Sequence, residues 1–172
     1  MKKVLYILGE FDDSDADWFV EAGHQIDVPR GTSIIREGEP SDSIFFVTAG
    51  SFRVTTGGAG TEVARLGTGE VVGEISYVDH RPPTATVTAV EDGRVLAIPR
   101  AVLASRLESD AQFASRFYKA IATFLAERLR RTLLQLAGEV ESTADELDLD
   151  ELHTLSQAGV RFDRILQRLQ EV

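Results

Sequence analysis

Few side chains in this 172-residue chain are able to do chemistry, and their spacing narrows what that chemistry could be. There is no cysteine, which excludes thiolate nucleophiles, disulfides and cysteine-based zinc sites. The three histidines, His24, His80 and His153, are scattered, whereas a metal-binding β fold needs them clustered on adjacent strands. No Ser/His/Asp set stands in a recognisable nucleophile context, so a non-enzymatic role is expected. What remains is a short run, Gly73-Glu74-Ile75-Ser76, followed after a gap by Thr84-Ala85-Thr86. Glycine lacks a Cβ and lets another group approach its backbone closely. Successive amides in a short turn after Gly73 can aim N–H groups at an anion. Taken singly, the same residues also read as a turn glycine, a surface acid and the start of a strand.

The elements around these residues are mostly strands. Short β-branched or aromatic runs lie at 25–28, 33–36, 44–48, 51–55, 62–66, 85–90 and 94–98, separated by turns rich in glycine and proline. Strands repeated at roughly 8–12 residues predict an antiparallel sandwich or barrel. Before them, Asp12-Asp13-Ser14 offers N-caps for a helix running to about Ala22, with Trp18, Phe19 and Ala22 on its apolar face. After them comes a short helix from Arg100 to Leu107. A long amphipathic one follows over Ala111–Ala137, with Phe113, Phe117, Ile121, Leu125, Leu129, Leu133 and Leu136 at steps of three and four. Gly138 is its expected stop. The chain therefore divides into a helical segment (1–24), a β domain (25–99), the helical pair (100–138), and an acidic linker with a short helical tail (139–172). In that tail, Val160, Phe162, Ile165, Leu166 and Leu169 line the last helix.

Two stretches carry a wider pattern. The first is Pro29-x-Gly31-x-x-Ile34, then Glu37-Gly38-x-x-x-Asp42-Ser43-Ile44-Phe45-Phe46-Val47, then Gly50-x-x-x-Val54. The second is Gly73-Glu74-Ile75-Ser76 with Thr84-Ala85-Thr86-Val87-x-Ala89. In this order and spacing, over roughly residues 5 to 131, the chain resembles the cyclic-nucleotide-binding domain family. That family includes the catabolite-activator type of bacterial regulator and the regulatory subunits of cyclic-nucleotide-dependent kinases. The resemblance implies a mainly β fold, an antiparallel double-stranded β-helix (jelly roll) with flanking N-terminal helices and a long C-terminal helix. It implies a small anionic ligand, cyclic AMP or cyclic GMP, and no other cofactor. The ligand-binding positions expected on this basis are Gly73, Glu74, Ile75, Ser76, Arg81, Pro83, Thr84 and Ala85. Glu74 would accept a hydrogen bond from the ribose 2′-hydroxyl, Thr84 and the Ala85 amide would reach phosphate oxygens, and the long helix would cover the base, with Thr123 as a base-side contact. In the family an arginine that pairs with the phosphate directly precedes the Thr-Ala pair. Here Pro83 stands in its place, in Asp79-His80-Arg81-Pro82-Pro83-Thr84-Ala85. Two residues of extended chain span about 6–7 Å and return to the same face. Arg81 therefore has two readings, a cation folding back to the pocket or a solvated loop residue; Thr123 likewise reads as a base contact or as packing.

Composition bounds the partners. The chain is 43% hydrophobic and 27% charged, as in ordinary globular domains, and no apolar run approaches the roughly 18 residues of a membrane span. Its first residues do not make a signal peptide, so a cytoplasmic location is expected. The net charge of −10 opposes binding to nucleic acid, which depends on Lys and Arg displacing counterions. Residues 139–151 hold seven carboxylates and no base, at the place where DNA-reading relatives carry their recognition domain. The tail is therefore expected to address a protein partner. The apolar stripe of the long helix extends over about seven turns, more than the β domain can cover, which points to a homodimer. Two functions fit: a ligand sensor signalling through the long helix and tail, or a degenerate domain serving as an interaction scaffold. A DNA-binding regulator ranks behind both.

Overall fold

The computed structural model describes residues 9–58, 60–136 and 149–170. Among them, eight strands form two four-stranded antiparallel sheets that face each other in a jelly-roll-like arrangement rather than a closed barrel. In one sheet, β1 (His24–Val28), β8 (Gly93–Pro99), β3 (Ser43–Ala49) and β6 (Val71–Val72) lie side by side. In the other the order is β2 (Ser33–Ile35), β7 (Thr86–Ala89), β4 (Phe52–Thr56) and β5 (Thr61–Leu66).

The first sheet is buried on both faces, and its central strands show why. Along β3, Ile44 and Phe46 point to the helical layer, whereas Phe45 and Val47 point between the sheets. Along β8, Leu96 and Ile98 face the helices and Val95 and Ala97 face the other sheet. Side chains alternate along a strand, so a sheet covered on both sides needs a continuous apolar run, which both strands supply. The registers Ile44↔Ile98 and Phe46↔Leu96 place like-facing residues opposite one another.

Five helices occur among the described residues. The first, α1 (Asp13–Ala22), begins with a capping box: Asp12 Oδ1 accepts from the Asp15 amide at 2.9 Å, and Asp15 Oδ2 accepts from the Asp12 amide at 3.0 Å. The short α2 (Glu74–Val78) follows β6. After β8 come α3 (Arg100–Ser109) and α4 (Ala111–Leu136). Asp110 Oδ1 accepts from the amides of Phe113 and Gln112, which caps α4 and lowers the Asp110 pKa. Phe113, Phe117, Ala120, Ile121 and Phe124 of α4 pack with Phe11, Phe19 and the outer face of the first sheet. Arg116 joins the two helices by a two-pronged bond to the buried Asp15 carboxylate, at 2.6 and 2.9 Å.

The last helix departs from expectation. In place of a short helix from about residue 160, α5 runs over Leu149–Gln170, straight through Gly159. A glycine inside a helix costs about 1 kcal/mol, and burial of Ala158 and Ile165 against the helical layer outweighs that. The strand β6 was not foreseen either; two residues carry no period. The expected stop at Gly138 and most of the acidic stretch lie outside the described residues. None of the described helices is long and apolar enough to cross a membrane.

Candidate functional site

A cavity of about 80 Å³ opens between the two sheets beside α2. Its floor is apolar, made by Ile35, Val54, Val72 and Val87 from both sheets. Its rim is the α2 turn on one side and the segment 82–85 on the other. Residues 73–76 and 83–85, separated in sequence, thus meet around one space. Seven of the eight expected ligand positions line it: Gly73, Glu74, Ile75, Ser76, Pro83, Thr84 and Ala85.

Gly73 is the point on which the turn depends. It precedes α2 with φ 93° and ψ −2°, a left-handed conformation that side chains resist. A Cβ there would sit 3.2 Å from the Ser43 carbonyl oxygen, so the turn also packs tightly on β3. The Gly73 carbonyl accepts from the Tyr77 amide at 3.1 Å and from Ser76 Oγ at 3.2 Å. Glu74 and Ser76 are both buried.

Arg100 is a site residue that the sequence reading missed. From the start of α3 its guanidinium reaches back to α2, donating to the Gly73 and Ser76 carbonyls at 3.2 Å each and to Ser76 Oγ. It also lies over the Tyr77 ring, 5.8 Å from the centroid. Burial pulls its pKa below the usual arginine range. Its side chain therefore braces the rim from behind, held by two carbonyls and one hydroxyl of the α2 turn. A signal was present: a cation at a helix start opposes the macrodipole, so Arg100 needs a reason to be there.

Two expected positions do not reach the cavity. Arg81 is exposed and is absent from the lining. The chain reverses at His80, which has φ 57°, and Asp79 Oδ1 accepts from the Arg81 amide at 3.0 Å. The stiff pair Pro82-Pro83 then enters the rim, and the Pro83 carbonyl is pinned by the Gly38 amide at 2.8 Å. That geometry leaves Arg81 in the solvated-loop reading. Thr123 lies away from it as well: α4 packs on the outer face of the first sheet, and no described α4 side chain is among the lining residues.

The electrostatic balance follows. Among the described lining residues Glu74 and Asp79 are carboxylates, and none is Lys, Arg or His. The rim can offer backbone amides, two hydroxyls and carboxylate acceptors, but no full positive charge.

Comparison with known proteins identifies the family and the fold. The model of the cyclic nucleotide-binding domain matches residues 25–110, half of the chain. A CRP-like cAMP-activated global transcriptional regulator of Mycobacterium tuberculosis is 28% identical over 115 residues, 65% of this chain and 50% of that protein. The cyclic AMP receptor protein of Thermus thermophilus is 32% identical over 111 residues, 63% of this chain and 50% of that protein. The chain thus spans about half the length of these curated relatives. A cyclic nucleotide-binding domain from Methylobacillus flagellatus superposes with a TM-score of 0.71 at 18% identity, over 83% of this chain and 85% of that one, and shows the shared fold. By its matched segment and the fold that carries it, this chain belongs to the cyclic nucleotide-binding domain family.

Proposed function

We propose that this protein is a regulatory ligand sensor rather than an enzyme, and that the cavity beside α2 receives a cyclic nucleotide. The observation that carries the reading is the convergence of Gly73, Glu74, Ser76, Thr84 and Ala85 on one space. In this reading, amides of the turn after Gly73 and of Ala85 donate to the cyclic phosphate together with the Thr84 hydroxyl, and Glu74 accepts from the ribose 2′-hydroxyl. Binding is weakened by the lack of a guanidinium on the wall, since a charge-assisted bidentate contact is among the strongest polar contacts available. The response passes through α4 and the tail to a protein partner in the cytoplasm. Two copies pair through the side of α4 on which Tyr118, Leu129 and Leu133 are exposed.

Calorimetric titration with cyclic AMP and cyclic GMP tests the ligand, and heat with one of them at micromolar to millimolar affinity is expected. No heat with either would favour the second reading, a degenerate domain acting as a scaffold. The specific observation behind that alternative is the all-acidic charge of the lining, with Pro83 in the arginine position.

A further inference from the structure

The two long helices dock on the body of the molecule in different ways. Helix α4 buries three phenylalanines, Phe113, Phe117 and Phe124, with Ala120 and Ile121. Helix α5 packs against α1, and its fully buried residues between 158 and 169 are only Ala158 and Ile165, with Phe162 and Leu169 half-buried beside them. Charge supplies the rest. Residues 13–22 of α1 carry Asp13, Asp15, Asp17 and Glu21 and no base. Facing them, Arg161, Arg164 and Arg168 recur at steps of three and four, which puts all three on one side of α5. Arg164 grips Asp17 with two bonds, at 2.8 and 2.6 Å, and Arg168 adds a third contact to the same carboxylate at 2.8 Å. Arg161 reaches Asp13 and the Gly9 carbonyl at 3.2 Å each, and Arg168 lies 3.7 Å from Glu21.

We propose that α5 is a detachable helix, latched within its own chain onto the acidic ridge Asp13–Asp17–Glu21 by the arginine comb Arg161–Arg164–Arg168. The seat is firm where the latch is not. On the other side of α1, the fully buried Asp15 holds Arg116 of α4, a pair that salt screens less. Much of the comb is open to solvent: Arg164 and Arg168 are 45% and 38% exposed and Asp13 is 66% exposed, while Arg161 and Asp17 are more covered, at 13% and 23%. Solvent-exposed pairs are screened once the Debye length falls to a few ångströms, whereas apolar contacts are not weakened by salt. Opening uncovers the ridge and the comb together, leaving the α4 contact and both sheets in place. The latch does not depend on what fills the cavity, so its failure and that of the ligand reading are separate events.

Hydrogen–deuterium exchange on the full chain, read by mass spectrometry, tests it. Raising salt from about 0.02 to about 0.5 M should speed exchange of the α5 amides roughly tenfold and leave those of β3 and β8 unchanged. Asp17→Asn should reproduce that gain at low salt. The charge swap Asp17→Arg with Arg164→Asp and Arg168→Asp should restore protection. Protection of α5 that ignores both salt and Asp17→Asn would overturn the latch. So would loss of protection across the whole molecule in Asp17→Asn, which would make α5 an integral part of the fold. Protection that rises with protein concentration would also overturn it, because a second copy would then supply the seat.

Discussion

Replacing Pro83 by arginine puts a cation where the cavity wall has none. The wall's described residues carry two carboxylates, Glu74 and Asp79, and no Lys, Arg or His. The bond that pins residue 83, from the Gly38 amide to its carbonyl at 2.8 Å, belongs to the backbone and survives the change. Hydrogen bonds to a charged group contribute about 1.5–3 kcal/mol. Glu74 and Asp79 compete for the new guanidinium, so the low end applies: about 1.5 kcal/mol, or about tenfold in Kd. Titration calorimetry of the natural chain and of Pro83→Arg with cyclic AMP and cyclic GMP, at about 0.15 M salt, should show that tenfold gain for one nucleotide. The gain should shrink as salt rises. Pro83→Ala separates chain stiffness from charge and should bind like the natural protein. An unchanged affinity in a Pro83→Arg variant that keeps its circular dichroism and unfolding midpoint would refute the reasoning. A natural chain that already binds as tightly as the variant would refute it too, since the wall would then need no guanidinium.

Other perturbations probe the supports of the same site and of the tail. Gly73→Ala forces a side chain into φ 93° with its Cβ 3.2 Å from Ser43 O, and should lower stability in urea by about 1–3 kcal/mol; a loss under 0.5 kcal/mol, on the scale of an ordinary surface change, would contradict the strained turn. Arg100→Gln removes the brace from the Gly73 and Ser76 carbonyls, so the amides of Tyr77 and Asp79 should exchange about tenfold faster while β8 stays protected. Equal exchange in both proteins would sink the brace. The Asp17 carboxyl is lowered from 3.8 to about 2, first by its bonds to Arg164 and then by those to Arg168; Asp13 and Glu21 of α1 share these arginines. A depressed carboxylate stabilises the folded state above its unfolded pKa and loses that effect as pH falls through its folded one, here from about 4 to about 2. NMR titration should find Asp17 near 2 and should return it toward 3.8 in Arg164→Gln/Arg168→Gln; an ordinary value in the natural chain would count against the contact.

Sequence periodicity reached the fold where a structural period is long enough to repeat. The unbroken apolar runs Ile44–Val47 and Val95–Ile98 already imply a sheet covered on both faces, and the packing assigns alternate residues to the two layers. Asp12, the first of the N-cap candidates Asp12-Asp13-Ser14, is the residue that caps α1. β6 escaped because two residues have no period. Arg100 escaped because its acceptors are carbonyls 24 and 27 positions earlier, and any residue type has a carbonyl. The fate of Arg81 turned on the left-handed His80 and on two prolines, local geometry that side-chain reach alone does not reveal. For Thr123 the resemblance suggested a base contact and the helix itself packing, and the aromatic stripe of α4 packs that helix on the outer face of the first sheet. The full length of α5 was hidden by Gly159, since its seat lies some 150 residues away and shows only in the assembled molecule.

The net charge of −10 looks different once its positions are known. Glu10, Asp12, Asp13, Asp15, Asp17 and Glu21 crowd six carboxylates into a short span of sequence, yet each has a cationic partner from α4 or α5. The partners fall into two sets with unlike energetics. Asp15 is wholly buried, and a buried carboxylate that loses its guanidinium costs about 3–5 kcal/mol, a large part of the stability of a small domain. The pairs to Arg164 and Arg168 are partly wet, and such contacts are weak one by one, so they hold collectively and best at modest salt. One short helix thus presents a permanent bond to the element next to the ligand domain and a revocable one to the tail. The difference between the two comes from depth below the surface, since the chemistry of carboxylate and guanidinium is the same on both sides.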